Sequence, residues 1–200
     1  MTADDILASA RRTLDVEAGA ILQQKPALGL DFVNMVHSLL ARAPGRVICT
    51  GVGKSGHVSR KIASTLSSTG TPAFWLHPVD ALHGDLGVVG HRDMILAVSH
   101  SGETREILEM VTAAKINGHV VGCICGTRGS SLSGLSIRSL IVPVEVEAWG
   151  RAPTASAAAM VAVGDALAVV LAELRGFSQS DYQATHPSGA TGGSAPGPTG

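Results

Sequence analysis

Two apolar runs in this 200-residue chain, about fifty residues apart, break off into polar, glycine-bearing turns that lead straight into helical patterns: Gly51-Val52-Gly53-Lys54-Ser55-Gly56 and Ser99-His100-Ser101-Gly102-Glu103-Thr104. A strand that turns directly into a helix leaves the helix's first backbone N–H groups without acceptors and its positive dipole end near the strand terminus. That arrangement favours an anion, phosphate above all. Two such turns in one small domain restrict the fold to a parallel α/β layout and point to a phosphorylated small molecule as ligand.

The flanking periodicities agree. Ile6, Leu14, Ile21 and Leu22, then Leu30, Phe32, Val33, Val36, Leu39 and Leu40, are spaced as two helices, with Pro26 expected to mark the break. Strands are expected at 46–50, 73–77, 94–98, 120–125 and 140–144. Helices are expected after the glycine turn (Val58, Ile62, Ala63, Leu66, ended by Gly70), over 104–116, as a short turn near Leu132, and over 155–174 up to a Gly176 cap. Residues 80–90 read as a loop. The expected architecture is a five-stranded parallel sheet flanked by helices in three layers, flavodoxin- or Rossmann-like. One domain spans 1–187, with N-terminal helices in 2–43 and a sheet core in 46–176, followed by a flexible low-complexity tail over 188–200.

Composition removes several function classes. A net charge of −1 and 3% aromatic residues give neither the basic patch nor the stacking platforms that nucleic acid requires. The segment from Ala155 to Leu174 is apolar, but Gly164, Asp165 and Glu173 interrupt it and alanine dominates, so a buried helix is expected and no membrane partner. The start Met1-Thr2-Ala3-Asp4-Asp5 lacks a basic-then-apolar leader, which suits a cytoplasmic protein. Cys49, Cys123 and Cys125 lack metal-ligand spacing and read as reduced core thiols.

The glycine turn is not a nucleotide P-loop, because Ile48 stands where that pattern needs its first glycine. It matches a dinucleotide fingerprint formally at Gly51, Gly53 and Gly56, but Leu76, His77 and Pro78 stand where an acidic residue should hold the ribose. No cofactor is expected. A lysine in the turn, Lys54, beside Ser55 suits a smaller anion, although a solvated loop lysine is the plainer alternative. In the second turn Ser99, Ser101 and Thr104 supply three hydroxyls where Gly102 permits tight backbone geometry; ordinary helix capping by Ser101 accounts for the same residues. Gly53, Ser55, Ser99, Ser101 and Thr104 are therefore the candidate phosphate ligands. Glu103 and Glu106 share a helix face and favour the helix dipole whether or not they react.

Taken with His77-Pro78, His83-Gly84-Asp85-Leu86-Gly87, Ala152-Pro153-Thr154, Gly164-Asp165-Ala166-Leu167-Ala168 and His186-Pro187, these motifs resemble the sugar isomerase (SIS) domain of D-arabinose-5-phosphate isomerases, in the same order and at similar spacing over roughly 47–189. The resemblance is to the short form, expected without the CBS pair that many members carry. The resemblance implies interconversion of ribulose 5-phosphate and arabinose 5-phosphate in the supply of the acid sugar Kdo. It also implies a homotetramer in which His186 reaches a neighbour's site. Aldose–ketose isomerisation passes through an enediol and needs a carboxylate base, oxyanion stabilisation and an acid for ring opening. By resemblance the catalytic set is Lys54, His83, Glu106, Glu145 and His186: Glu145 as base with Glu106 competing, Lys54 and His83 on the oxyanion, His186 at ring opening. His77, His83 and Asp85 are metal-capable types but form no compact ligand pattern, so no metal is expected. The chain departs from the family at Glu145-Val146-Glu147-Ala148-Trp149-Gly150, where many members read Glu-Ala-Cys-Pro-Leu-Gly, and at His186-Pro187-Ser188-Gly189, where His-Pro-Gly-Gly is usual. A 6-phospho-3-hexuloisomerase and a non-catalytic phosphosugar sensor are the alternatives.

Overall fold

A computed structural model describes residues 1–150 and 152–187. Five parallel strands, β1 (Val47–Gly51), β2 (Ala73–Trp75), β3 (Met94–Val98), β4 (Val120–Cys125) and β5 (Arg138–Ile141), lie in the order β2-β1-β3-β4-β5. β1 and β3 are buried along their whole length, which is why they read as unbroken apolar runs rather than alternating ones. Their period-two side chains divide into two cores. Val47, Cys49, Met94, Leu96 and Val98 face one layer, while Ile48, Ile95 and Ala97 face the other. The three cysteines are buried and unpaired.

The first layer holds α1 (Ala3–Ala27), α2 (Leu30–Leu40), α3 (Gly53–Ser68) and α7 (Ala155–Arg175); the second holds α4 (Pro78–Leu82), α5 (Arg105–Ile116) and α6 (Ser131–Leu135). By length and hydropathy α7 is apolar enough to cross a membrane, but it packs here between α1 and α3, with Met160, Leu167 and Leu171 buried. Small residues allow the close approach: a methyl group added at Gly164 would collide with Ile62 of α3.

Several boundaries differ from the sequence expectation. α1 carries Pro26 in its last turn and ends one residue later, where the Leu28 amide donates to the Gln24 carbonyl. A proline this close to the terminus removes one helical hydrogen bond without breaking the element. β2 stops at Trp75 because His77 becomes the N-cap of α4, its Nδ1 accepting the Val79 amide at 3.2 Å, with Pro78 at the first helical position. The expected 80–90 loop thus contains most of α4 and a 3-10 turn at Asp85–Val88. β5 starts two residues earlier than expected and ends before Pro143, which has no N–H for the ladder. A further helix, α8 (Gln179–Thr185), is closed by a capping box of Ser178 and Asp181. The 188–200 tail lies outside the described residues.

At the sheet edge opposite the strand carboxyl ends, Asp93 fastens β3 to β1. Its carboxylate accepts the Arg46 amide at 2.7 Å, the Gly90 amide at 2.8 Å and the Arg46 guanidinium. Burial raises the Asp93 pKa, but these donors outweigh it and hold the carboxyl below its ordinary value. A depressed folded-state pKa contributes stability above the unfolded value, and that contribution is lost as pH falls through the folded one. Asp93→Ala is expected to lower unfolding free energy by about 2–3 kcal/mol near neutral pH. Chemical denaturation of the two proteins should show that gap closing below pH ~4.

Candidate active site

β1 and β3 are adjacent and parallel, with Gly51 in register with Val98, so the two turns begin side by side, ~4.8 Å apart. The chain leaves β1 for α3 on one face of the sheet and β3 for α5 on the other. This is the topological switch point, where a crevice must open beyond the strand carboxyl ends. Both helix ends stay open. Val52, the N-cap of α3, has no side-chain oxygen to offer, and Thr104, the N-cap of α5, makes no capping bond to its helix. The amides of Gly53, Lys54 and Ser55 on one side, and of Arg105 and Glu106 on the other, therefore lack helical acceptors. Gly53 has a φ of 56°, and among the described residues nothing lies within 4 Å of where a Cβ would stand, so the turn presents bare backbone.

The serine loop is a built object. Ser99 is buried; its Oγ accepts the Gly102 amide at 3.2 Å and shares a 2.9 Å hydrogen bond with Thr104 Oγ1. Ser101 Oγ accepts the Glu103 amide at 3.2 Å. The loop is also fastened to the segment after β4. The Gly126 amide donates to His100 O at 2.8 Å, the Leu132 amide to Gly102 O at 3.0 Å, and the Ser131 amide to the Glu103 carboxylate at 2.8 Å. The hydrogen bonds from Ser131 hold the Glu103 carboxyl below its ordinary pKa. Gly102, at φ 69°, lies against Ser130, where any side chain would collide.

The structure gathers some of the sequence-identified residues and leaves others apart. Gly53, Lys54 and Ser55 form the first turn of α3, with Lys54 exposed, and Ser99, Ser101 and Thr104 form the loop opposite. Glu106 is half-buried in the first turn of α5. His83 is exposed at the C-cap of α4, which packs on α5. Glu145 stands elsewhere, exposed on the segment after β5, where it lines a groove of about 310 Å³ against Asp15, Gly19 and Gln23 of α1. His186 ends α8, with Nδ1 3.0 Å from both Tyr182 O and Thr185 Oγ1 and its ring stacked on Tyr182. The chain reaches α8 through Phe177, which packs on Gly70 at the end of α3 remote from the turn. Among the described residues no three His, Cys, Asp or Glu side chains converge as metal ligands.

Two features escaped the sequence reading. Glu147, not Glu145, is the bonded glutamate: its carboxylate accepts the Thr154 amide at 2.8 Å, the Ser156 amide at 3.3 Å and both hydroxyls, closing the N-terminus of α7. Burial raises the Glu147 pKa, but these donors hold it below the ordinary value. The hydroxyls at Thr154 and Ser156, seven and nine residues downstream, were the available signal. The other is His100 of the serine loop, whose Nε2 is buried against Gly126 without a partner among the described residues.

The SIS domain family matches residues 39–170, the sheet and both turns included. The chain belongs to the SIS domain family. This SIS domain is 42% identical over 190 residues to the arabinose 5-phosphate isomerase KdsD of Pseudomonas aeruginosa, and 39% identical over 190 residues to the arabinose 5-phosphate isomerase GutQ of Escherichia coli K12. Each alignment covers 94% of the chain, which spans 58% and 59% of those relatives' lengths. Among solved structures, c3406 of E. coli CFT073 in complex with arabinose 5-phosphate superposes with a TM-score of 0.90 at 36% identity, over 94% of this SIS domain and 100% of that chain.

Because Glu103 reaches across to Ser131, Glu103→Ala is expected to loosen the serine loop without unfolding the sheet. Hydrogen exchange should then quicken several-fold at the Gly102 and Ser131 amides and stay unchanged within β3 and β4.

Proposed function

We propose that the chain is an aldose–ketose isomerase interconverting D-ribulose 5-phosphate and D-arabinose 5-phosphate. The observation that carries this reading is the pair of open helix ends at register-paired strand termini, with a lysine in one turn and hydroxyls in the other. A phosphate monoester fits such a cradle, because amide donors and two helix dipoles meet its charge at once. The relatives named arabinose 5-phosphate isomerase and the c3406 complex support the choice of sugar.

In the proposed reaction Ser101, Thr104, Ser55 and the amides of both turns hold the phosphate, with Ser99 bracing Thr104. Glu145 removes the proton from the carbon beside the carbonyl and returns it to the neighbouring carbon. Lys54 and His83 hold the enediolate oxygen, and His186 protonates the ring oxygen as the sugar opens. Glu106 is the rival base, favoured by its position in the first turn of α5 beside the serine loop. Roles for Glu145 and His186 sit most easily with a shared site in a homotetramer. Apolar side chains exposed on α1, α2 and α7, among them Leu14, Leu22, Leu30 and Leu174, would serve its contacts. The same reading carries a cytoplasmic location and a place in Kdo supply.

Incubation with ribulose 5-phosphate in deuterated water is expected to give arabinose 5-phosphate carrying deuterium at C2. Glu145→Gln should lower kcat by ~10²-fold or more, and Lys54→Ala should lower kcat and raise KM. Full turnover in Glu145→Gln with loss in Glu106→Gln reassigns the base. Absence of deuterium and product in the unaltered protein overturns the isomerase reading, and a fully active monomer by light scattering overturns the shared site.

A further inference from the structure

On the other flank of the glycine turn, away from the serine loop, lies a second concavity that the proposed reaction does not use. It is a cleft of about 160 Å³ beyond the carboxyl ends of β1 and β2, bounded by the glycines of the turn and by His57, Arg60, Trp75 and His77. The strand order sets β1 between this cleft and the serine loop, so the two lie on opposite sides of one turn.

The side chains in the cleft offer donors and no carboxylate. The Arg60 guanidinium lies over the indole of Trp75, 3.7 Å from the ring centroid. Stacking of this kind holds the planar fork by its face and leaves its N–H edges free for bidentate contact with an oxyanion. Among the described residues no carboxylate pairs with Arg60, whereas its neighbour Lys61 is paired with Asp165 on α7. The Trp75 Nε1–H is buried and has no acceptor among the described residues, and an indole nitrogen can only donate. His77 meets the same indole edge-on, with ring centroids 5.5 Å apart. Its Nδ1 accepts the Val79 amide, so in the neutral ring the proton sits on Nε2. His57, one turn before Arg60 on α3, adds a further exposed imidazole. The volume is roughly five times a water molecule's share of the liquid, enough for an oxyanion and the first carbons attached to it.

We propose that this cleft is a second oxyanion site, which takes the phosphate or carboxylate of a small acidic metabolite through His77 and the Arg60 guanidinium that Trp75 holds by its face, independently of the sugar-phosphate cradle. The site does not rest on the isomerase reading, since the donors are present whatever the chain turns over.

The chain has two tryptophans, so Trp149→Phe leaves Trp75 as the single indole reporter beside the cleft. Titration of that protein with inorganic phosphate, and separately with lactate, is expected to give a saturable change in emission with at least one of them. Phosphate alone marks a phosphate-ester site, and lactate alone a carboxylate site. Added Arg60→Ala should weaken the apparent Kd about tenfold or more, and Arg60→Lys should weaken it too, because the ammonium keeps the charge but loses the stacked fork. Thr104→Ala, which damages the cradle, should leave the titration intact. Circular dichroism of each variant guards against unfolding. No saturable signal with either anion, a signal unchanged by both Arg60 variants, or a signal lost in Thr104→Ala overturns the proposal. Isomerase turnover measured alongside separates the two readings: a silent cleft in an active enzyme removes only this site, and a responsive cleft in an inactive protein removes only the isomerase assignment.

Discussion

The structure depends on one constraint: two neighbouring parallel strands send their helices to opposite faces of the sheet. Where β1 gives way to α3 and β3 to α5, the chain can neither fill the gap between them nor easily cap both helices. A contrast within the same molecule makes the point. α7 also begins at the carboxyl edge of the sheet, and there Glu147 supplies a carboxylate for its first amides. α3 and α5 receive no such group, since Val52 has no oxygen to give and Thr104 turns its hydroxyl to Ser99. The start of α7 is closed by the protein itself, whereas under the proposed function the starts of α3 and α5 are left for a ligand to close.

Open ends are useful only if they hold still. The glycine turn is fixed through α3, which α7 presses so closely that Gly164 has no room for a methyl group beside Ile62. The serine loop is fixed differently, by hydrogen bonds to the segment following β4 and by the Glu103 carboxylate on Ser131. The opposite edge is tied by Asp93 and Arg46. Position at the crevice is therefore set by groups well outside it, and Lys54 and Ser101 can stay exposed while the turns that carry them keep their geometry.

What the sequence disclosed follows the range of the interactions involved. β1, β3 and β4 were legible because strands buried on both faces read as unbroken apolar runs, and both turns because glycine and hydroxyl residues at a strand-to-helix junction form a local pattern. β5 was misplaced by two residues, since as an edge strand it opens with Arg138 and Ser139, which look like loop. α4 is five residues long, too short for periodicity to declare itself, and only its His77-Pro78 start hinted at a helix. The contacts that organise the crevice join residues far apart: Glu103 to Ser131 across 28 positions and Arg46 to Asp93 across 47. Nothing local in the chain announces such pairs. The sequence likewise cannot say which of Glu106, Glu145 and Glu147 faces the crevice; the fold separates the three, giving one to α5, one to the α1 groove and one to the cap of α7.

The bare amides of Gly53–Ser55 and of Arg105 and Glu106 have one more consequence. Left unbonded among the described residues, they add nothing to holding the fold together, whereas the first amides of α7 are bonded by Glu147. An anion that settles there acts as a keystone and shifts the folding equilibrium by mass action. Heat tolerance recorded in phosphate buffer and in a zwitterionic buffer would then describe two different molecules, one with its arch closed and one with it open.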